Sequence, residues 1–285
     1  MSSETDLFMD EWKVFAMKMI YSCDLHGDTR KYEALKKLIS SGAYDVLVIG
    51  GDLLEYTSRD VDMQIGFVQE YLANFFKSLH IPSYLIKGNT DTSAAFNLLK
   101  SLAPSNVKFL SEIPVKINGM HIFGFDLINP SPFKIKNDER RDLAGENYIF
   151  SPTLIRTDRG ELELKPSDYL NDLPSIEEEL LKYKGVTGSI FVCHVPPFGT
   201  KLDVAGIGNH VGSKAVYEFI LRTQPLLVLC GHIHESPGIS NSCFDYIGKA
   251  LCVNPGNLYA CEIQIEDGKV LSCEIVNMMN EYEGV

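Results

Sequence analysis

The chain has 285 residues, 26 Lys+Arg against 38 Asp+Glu, and a formal net charge of −12. Hydrophobic residues make up 45%, which excludes general disorder and collagen-like or low-complexity classes. The acidic balance disfavours a nucleic-acid groove or an anionic membrane surface as partner, because both would repel it, although bound cations can create a local positive site. The first fifteen residues carry Glu4, Asp6, Asp10 and Glu11 and no basic residue before Lys13, the reverse of a secretory leader. The apolar stretch Val14–Ile20 is short and holds Lys18, and no run of about 18 apolar residues occurs elsewhere. Seven cysteines, Cys23, Cys193, Cys230, Cys243, Cys252, Cys261 and Cys273, include no Cys-x-x-Cys pair and fall mostly in apolar β-rich runs. They read as reduced core thiols of a cytoplasmic protein.

In chain order, the pattern predicts strand, polar turn and helix in alternation. Phe15–Ser22 reads as a strand, Asp24–Asp28 as a loop, and Lys31–Ser40 as a helix with apolar Ala34, Leu35, Leu38 and Ile39 on one face. A strand at Asp45–Ile49 runs into Gly50-Gly51-Asp52, a helix follows over Val61–Ser78, and a strand at Ser83–Ile86 runs into Gly88-Asn89. Ser93–Ser101 has helical spacing. Val107–Leu110, Val115–Ile117 and Met120–Phe125 read as strands, the last two joined by a turn at Asn118-Gly119. From about 129 to 185 the rhythm breaks: five prolines, clustered charge, and little periodicity before Ile176–Tyr183. This reads as an insertion, either a substrate-facing wall or a plain surface excursion. Order returns with a strand at Ser189–Cys193, a helix at Ser213–Arg222, and strands at Leu226–Cys230 and Ala250–Val253. Two last strands, Tyr259–Glu266 and Lys269–Val276, form a hairpin about Asp267-Gly268. Length allows one large α/β domain or two smaller ones, and alternation that gives way to strands argues for mixed sheets, not a parallel barrel.

Five polar clusters each follow an apolar run: Asp24-Leu25-His26, Gly51-Asp52, Gly88-Asn89-Thr90-Asp91, Cys193-His194-Val195-Pro196-Pro197, and Gly231-His232-Ile233-His234. Ligands of open α/β sheets bind outside the carboxyl ends of strands, so five such loops can converge on one rim. Imidazole, carboxylate and amide oxygen without thiolate suit manganese, iron, zinc, nickel or cobalt better than a structural zinc site. Singly, each cluster has an ordinary reading: Asp-x-His as a turn or cap, Gly-Asp as a turn, Asn after Gly as a left-handed residue, His194 as a satisfied strand-end histidine. Their ordered joint occurrence, each after a strand, outweighs those readings.

The ordered set resembles the motifs of the calcineurin-like metallophosphoesterase superfamily, Asp-x-His, Gly-Asp, Gly-Asn-His-Asp/Glu, a lone His, and Gly-His-x-His. The strings His194-Val-Pro-Pro-Phe-Gly, Gly231-His-Ile-His-Glu235 and Asn254-Pro-Gly resemble a branch with cyclic-nucleotide-phosphodiesterase-like members. The resemblance implies a single domain over 1–285, with the insertion at about 129–185, and an α/β fold of two facing mixed β-sheets flanked by helices, a four-layer α/β/β/α sandwich. It implies two divalent metal ions, manganese favoured, one held by Asp24, His26, Asp52 and His234 and the other by Asp52, Asn89, His194 and His232. Asp52 would bridge them, and Asp52 and Asn89 would be the catalytic members of the set. A hydroxide bridging the ions would attack phosphorus in line, as two cations about 3.5–4 Å apart permit.

One departure stands out. Where the family motif has Gly-Asn-His, this chain has Thr90, which cannot act as a general acid near pH 7. Asp91 then loses its usual partner and would orient Thr90 or act around the metal ligands. Thr90, Asp91 and His210 are the candidate substrate-binding residues. A surface loop suits His210 better than a place facing substrate, Asn254 reads as a rim residue or a strand-to-turn stop, and Asp28 as a site contact or a helix cap; His80 and His121 have no chemical context. The expected function is hydrolysis of a small phosphate ester, phosphodiester favoured. The rivals are a non-catalytic metal-binding interaction module, a phosphomonoesterase, and a nuclease, which should show a basic tract near the site. Instead Lys134, Lys136, Arg140 and Arg141 are offset by Asp138, Glu139, Asp142 and Glu146.

Overall fold

The computed structural model describes residues 16–55, 60–149, 152–157 and 160–278. Phe15 and the acidic residues Glu4, Asp6, Asp10 and Glu11, with Lys13 and Val14, lie outside the described residues. The strands are β1 (Ala16–Ser22), β2 (Val46–Ile49), β3 (Ser83–Leu85), β4 (Val107–Phe109), β5 (Val115–Ile117), β6 (Met120–Phe125), β7 (Thr153–Arg156) and β8 (Leu162–Lys165). They continue with β9 (Ile190–Cys193), β10 (Val204–Ala205), β11 (Asn209–His210), β12 (Leu227–Leu229), β13 (Phe244–Ile247), β14 (Ala250–Val253), β15 (Tyr259–Glu266) and β16 (Lys269–Asn277).

Two six-stranded mixed sheets result, in the orders β16-β15-β1-β2-β3-β4 and β13-β14-β12-β9-β6-β5. In the first, β1 to β4 are parallel and β15 joins β1 antiparallel. In the second, β14, β12, β9 and β6 are parallel, with β13 and β5 antiparallel at the edges. The two-residue period of a strand sorts the core into layers. Met17, Met19, Tyr21, Val46 and Val48 face Ile190, Val192, Leu227, Leu229, Leu251 and Val253 between the sheets. The alternate positions Ile20, Leu47 and Ile49 pack under Leu35, Ile39, Phe76 and Leu99 on the outer helices. On the far side, Phe191, Cys193, Val228 and Cys252 pack under Val216, Phe219, Ile176 and Leu180. This is the expected arrangement of two facing mixed sheets flanked by helices.

Local signals explain the element ends. Asp28 caps the helix Thr29–Ser41 by accepting from Arg30 N at 3.0 Å, so its role is a cap. Asn118 and Gly119 both have positive φ, 40° and 81°, as a two-residue hairpin turn requires. The helix expected over Val61–Ser78 forms, but Val68–Leu72 winds as a π-helical turn, which sequence periodicity does not reveal. Nor does the sequence pattern reveal β13, the short β10–β11 hairpin or the helix Ser236–Ser240. The stretch from about 129 to 185 carries the β7–β8 hairpin, a 3-10 turn at Tyr169–Asp172 and the helix Ile176–Leu180, whose Ser175 and Glu178 form a capping box. All seven cysteines are free thiols, and among the described residues no helix is long and apolar enough to cross a membrane.

Candidate metal centre

The carboxyl ends of parallel strands from both sheets meet at one rim. β1 delivers Asp24 and His26, β2 delivers Asp52, and β3 delivers Asn89, all from the first sheet. β9 delivers His194, and β12 delivers His232 and His234, from the second. Main-chain hydrogen bonds staple the loops together: Asp24 N donates to Gly51 O at 3.1 Å, His26 N to Asp52 O at 2.9 Å, and Gly231 N to His194 O at 3.0 Å. Asp24, His26, Asp52 and His232 all hold positive φ, 54°, 51°, 52° and 65°. Non-glycine residues rarely adopt this region, and such strain clusters at functional sites. The glycines of the motifs allow the close approach. At Gly51 (φ +96°) a Cβ would sit 2.7 Å from His194 Nδ1 and 2.9 Å from Gly88 Cα.

Ligand atoms converge in two overlapping groups, Asp24–His26–His234 and Asp24–Asp52–His194, each with its atoms within 4.8 Å of one another. His26 Nε2 and His234 Nε2 are 3.4 Å apart. His194 Nε2 lies 3.0 Å from Asn89 Oδ1 and 3.4 Å from Asp52 Oδ2, which is itself 3.9 Å from His26 Nε2. The His194 and His232 ring centroids are 5.2 Å apart. All seven expected metal residues therefore come together. One detail differs from the expectation: Asp24 belongs to both groups, whereas the family resemblance implies Asp52 as the shared carboxylate. Asp52 still stands between imidazoles of the two sets.

Neighbouring groups aim each ligand. His194 Nδ1 is 2.8 Å from Gly50 O, which turns Nε2 toward the centre. Thr90 N donates to Asp52 Oδ1 at 2.8 Å and leaves Oδ2 facing the histidines. His232 N donates to the Asp24 carboxylate at 3.1 Å. Burial would favour a neutral Asp52, but His194 and His26 hold its carboxyl well below the usual range. Burial likewise opposes charge on His194, yet Asp52 outweighs it and pushes the imidazole up to about 10. His232 is pushed down to about 3, by burial first and then by His194. Burial also lowers His26. Two neutral imidazoles, an ionised carboxylate and a proton on His194 that balances the negative charge are a donor set that fits divalent cations, with the proton exchanged for metal.

The centre opens into a cavity of about 420 Å³ lined by His26, Asp52, Asn89, Thr90, His232, Ile233, His234 and the exposed Glu235 on one side. Asn129, Pro130, Ser131, Pro132, Phe133, Ala205 and Val211 form the other. Sequence reasoning missed this second wall residue by residue; its only signal was the break in rhythm that marked the insertion. Thr90 lies where expected, but its Oγ1 is buried with no hydrogen-bond partner among the described residues. Asp91 does not orient it. The Asp91 carboxylate accepts from Leu53 N at 3.2 Å, Leu54 N at 2.7 Å and Gly88 N at 2.9 Å, which fixes the Asp52 loop and leaves Asp91 buried away from the cavity. Burial, then the Asp52 charge, pushes Asp91 up to about 7. His210 does not line the cavity itself. It pairs with Asp203 through Nδ1 at 2.7 Å and lines an adjoining depression that shares Asn129, Pro130 and Val211 with the cavity. Asn254 shapes the rim: its Nδ2 donates to Leu202 O, Gly231 O and Ile233 O, and its Oδ1 accepts from Gly256 N. His80 and His121 are exposed and remote from the centre.

A family model described as calcineurin-like phosphoesterase matches residues 20–236. No curated protein sequence matches the chain. One solved structure aligns over 92% of this chain and 99% of its own, at 15% identity and a TM-score of 0.61. The protein TT1561 of Thermus thermophilus aligns over 92% and 99%, at 17% identity and a TM-score of 0.55. A protein described as a novel archaeal phosphodiesterase aligns over 92% and 99%, at 12% identity and a TM-score of 0.46. At these identities the first two establish a shared fold.

Proposed function

The chain belongs to the calcineurin-like phosphoesterase family, and on that premise we propose that this metal-dependent phosphoesterase hydrolyses a small phosphodiester at a dinuclear centre. Asp24, His26, Asp52 and His234 would hold one cation, and Asp52, Asn89, His194 and His232 the other. Divalent cations there supply Lewis acidity, lowering the pKa of coordinated water and neutralising charge on the phosphoryl oxygens. The chain's own part is orientation. Gly50 O fixes the His194 ring through Nδ1, Thr90 N fixes the Asp52 carboxylate, and the buried Asp91 holds the loop that carries it.

Hydrolysis cleaves one P–O ester bond; the oxygen of water goes to phosphorus and a proton to the departing alcohol oxygen. The observation that favours a diester is the lining of the 420 Å³ cavity, which contains no lysine or arginine among the described residues. A diester carries one negative charge, while a monoester near neutral pH brings close to two, with no side-chain cation in that lining to meet the second. Thr90 also offers no acid to a poor leaving group, which disfavours alkyl monoesters further. The favoured metal is manganese, as the family resemblance implies; the imidazole and carboxylate donors also suit iron, zinc, nickel and cobalt. A parallel hydrolysis screen of aryl phosphodiesters and monoesters with manganese, iron, zinc, nickel and cobalt tests the reading. Faster turnover of diesters with at least one metal is expected. Monoesters cleaved faster than diesters of equal leaving group would overturn the diester assignment, and no turnover of either would overturn catalysis.

A further inference from the structure

The cavity at the metal centre has two unlike walls. One is the donor set; the other is Pro130, Pro132, Phe133 and Val211, whose side chains are apolar. Phe133 is 50% exposed and Val211 37%, so the fold leaves these surfaces in water at the cavity mouth. Polar groups on this wall are committed elsewhere. Asn129 Nδ2 donates to Val211 O at 3.1 Å, and Ser131 Oγ and N both donate to the Glu139 carboxylate, at 2.6 and 2.9 Å. Phe133 N donates to Ser131 Oγ at 3.2 Å. Behind the wall, Lys136 pairs with Glu139 at 2.8 Å, both buried, and Lys136 also donates to Ser131 O. The two prolines and this ion pair make the wall a pre-ordered surface, which lowers the entropic cost of using it.

We propose that this wall is the binding subsite for an apolar, ring-bearing ester arm of the substrate, and that the enzyme selects aryl-type phosphodiesters over nucleotide-like ones. The inference rests on the phosphoesterase reading, because the phosphate at the donor set is what brings the arm to the wall. Continuity supports that occupant: donor set and wall enclose one cavity, and 420 Å³ falls within the ~300–1,000 Å³ of small-molecule sites. The chemistry of the wall selects the arm. A sugar or nucleobase brings donors and acceptors that the apolar side chains of this wall leave unanswered, and the exposed Glu235 carboxylate of the same lining can meet donors alone, whereas a ring stacks on Phe133 and displaces water from Pro130, Pro132 and Val211.

The test is calorimetric binding of phenylphosphonate and methylphosphonate to manganese-reconstituted protein, with Phe133→Ala and Phe133→Leu beside the wild type. Phenylphosphonate should bind the wild type about tenfold more tightly than methylphosphonate, as expected of one ring stacked and desolvated. Phe133→Ala should bring that ratio close to one, and Phe133→Leu should leave it between. A second comparison sets phenyl against thymidine 5′-yl esters of p-nitrophenyl phosphate, so that the leaving group is constant. A lower KM for the phenyl ester is expected. Equal binding of the two phosphonates to wild type, an unchanged ratio in Phe133→Ala, or preference for the thymidine ester would overturn the subsite while leaving the phosphoesterase reading intact. Binding of neither phosphonate together with no ester turnover would overturn that reading itself.

Discussion

The two walls of the cavity are held by different means. The donor wall rests on strand ends, and main-chain hydrogen bonds between loops set its geometry, with Asp24 N on Gly51 O and His26 N on Asp52 O. The apolar wall rests on side chains: Lys136, Glu139 and Ser131 hold the loop from Asn129 to Phe133. A wall built on the sheet is fixed by the fold, while a wall that leans on side-chain contacts can be changed by one substitution.

The comparison is broken most severely at Asp52. Asp52→Ala removes the carboxylate between His26 and His194, and its loss of activity should exceed the about 10–100-fold typical of mutating a group behind a metal ligand. Elemental analysis should show the metal lost with the activity. Retention of full metal content would show that Asp24 carries the bridging role instead. Glu139→Ala strikes the other wall. It leaves the buried Lys136 without its carboxylate, a type of change that costs about 3–5 kcal/mol. The lower end applies, because Ser131 O remains as an acceptor. Chemical denaturation should detect this loss, and phenylphosphonate binding should weaken with the metal content preserved.

A third measurement sharpens the donor wall alone. In metal-free protein Asp52 pushes His194 up to about 10, so the imidazole is charged at pH 8. Metal must displace that proton, so loading at pH 8 should release about one proton per chain. Apparent affinity should then fall about tenfold for each unit of pH lowered below the His194 value. Loading heats that are identical in buffers of different ionisation enthalpy would contradict this. The smallest effect is expected at Thr90. Its buried Oγ1 has no partner among the described residues, so Thr90→Val should raise stability by about 1 kcal/mol, read by denaturant midpoint. A lower midpoint would mean that the hydroxyl does find a partner.

The same division explains what could be read from the sequence. The donor residues follow apolar runs, and a strand end is a local signal: β5, β6, β14 and β15 have the bounds that alternation predicts. Seven candidate ligands in order, each after a strand, therefore point to one rim before any geometry is known. The apolar wall leaves no comparable trace, because Phe133 acquires its place through Lys136, Glu139 and the distant Val211, and no periodicity encodes such contacts. The partners of Asp91 and His210 are hidden from the linear pattern for the same reason: only the folded chain shows the three backbone amides that tie Asp91 to the Asp52 loop, and the Asp203 carboxylate that meets His210. The π-helical turn at Val68–Leu72 is equally hidden, since it changes the helix phase without changing the residue types.

The donor set is divided between the sheets: Asp24, His26, Asp52 and Asn89 hang from one, and His194, His232 and His234 from the other. A cation held by both halves is a clasp across the sandwich, joining side chains more than two hundred positions apart along the chain, as the His26–His234 separation of 208 shows. Sliding of one sheet over the other would part the two halves of the donor set, so a bound cation would resist that motion.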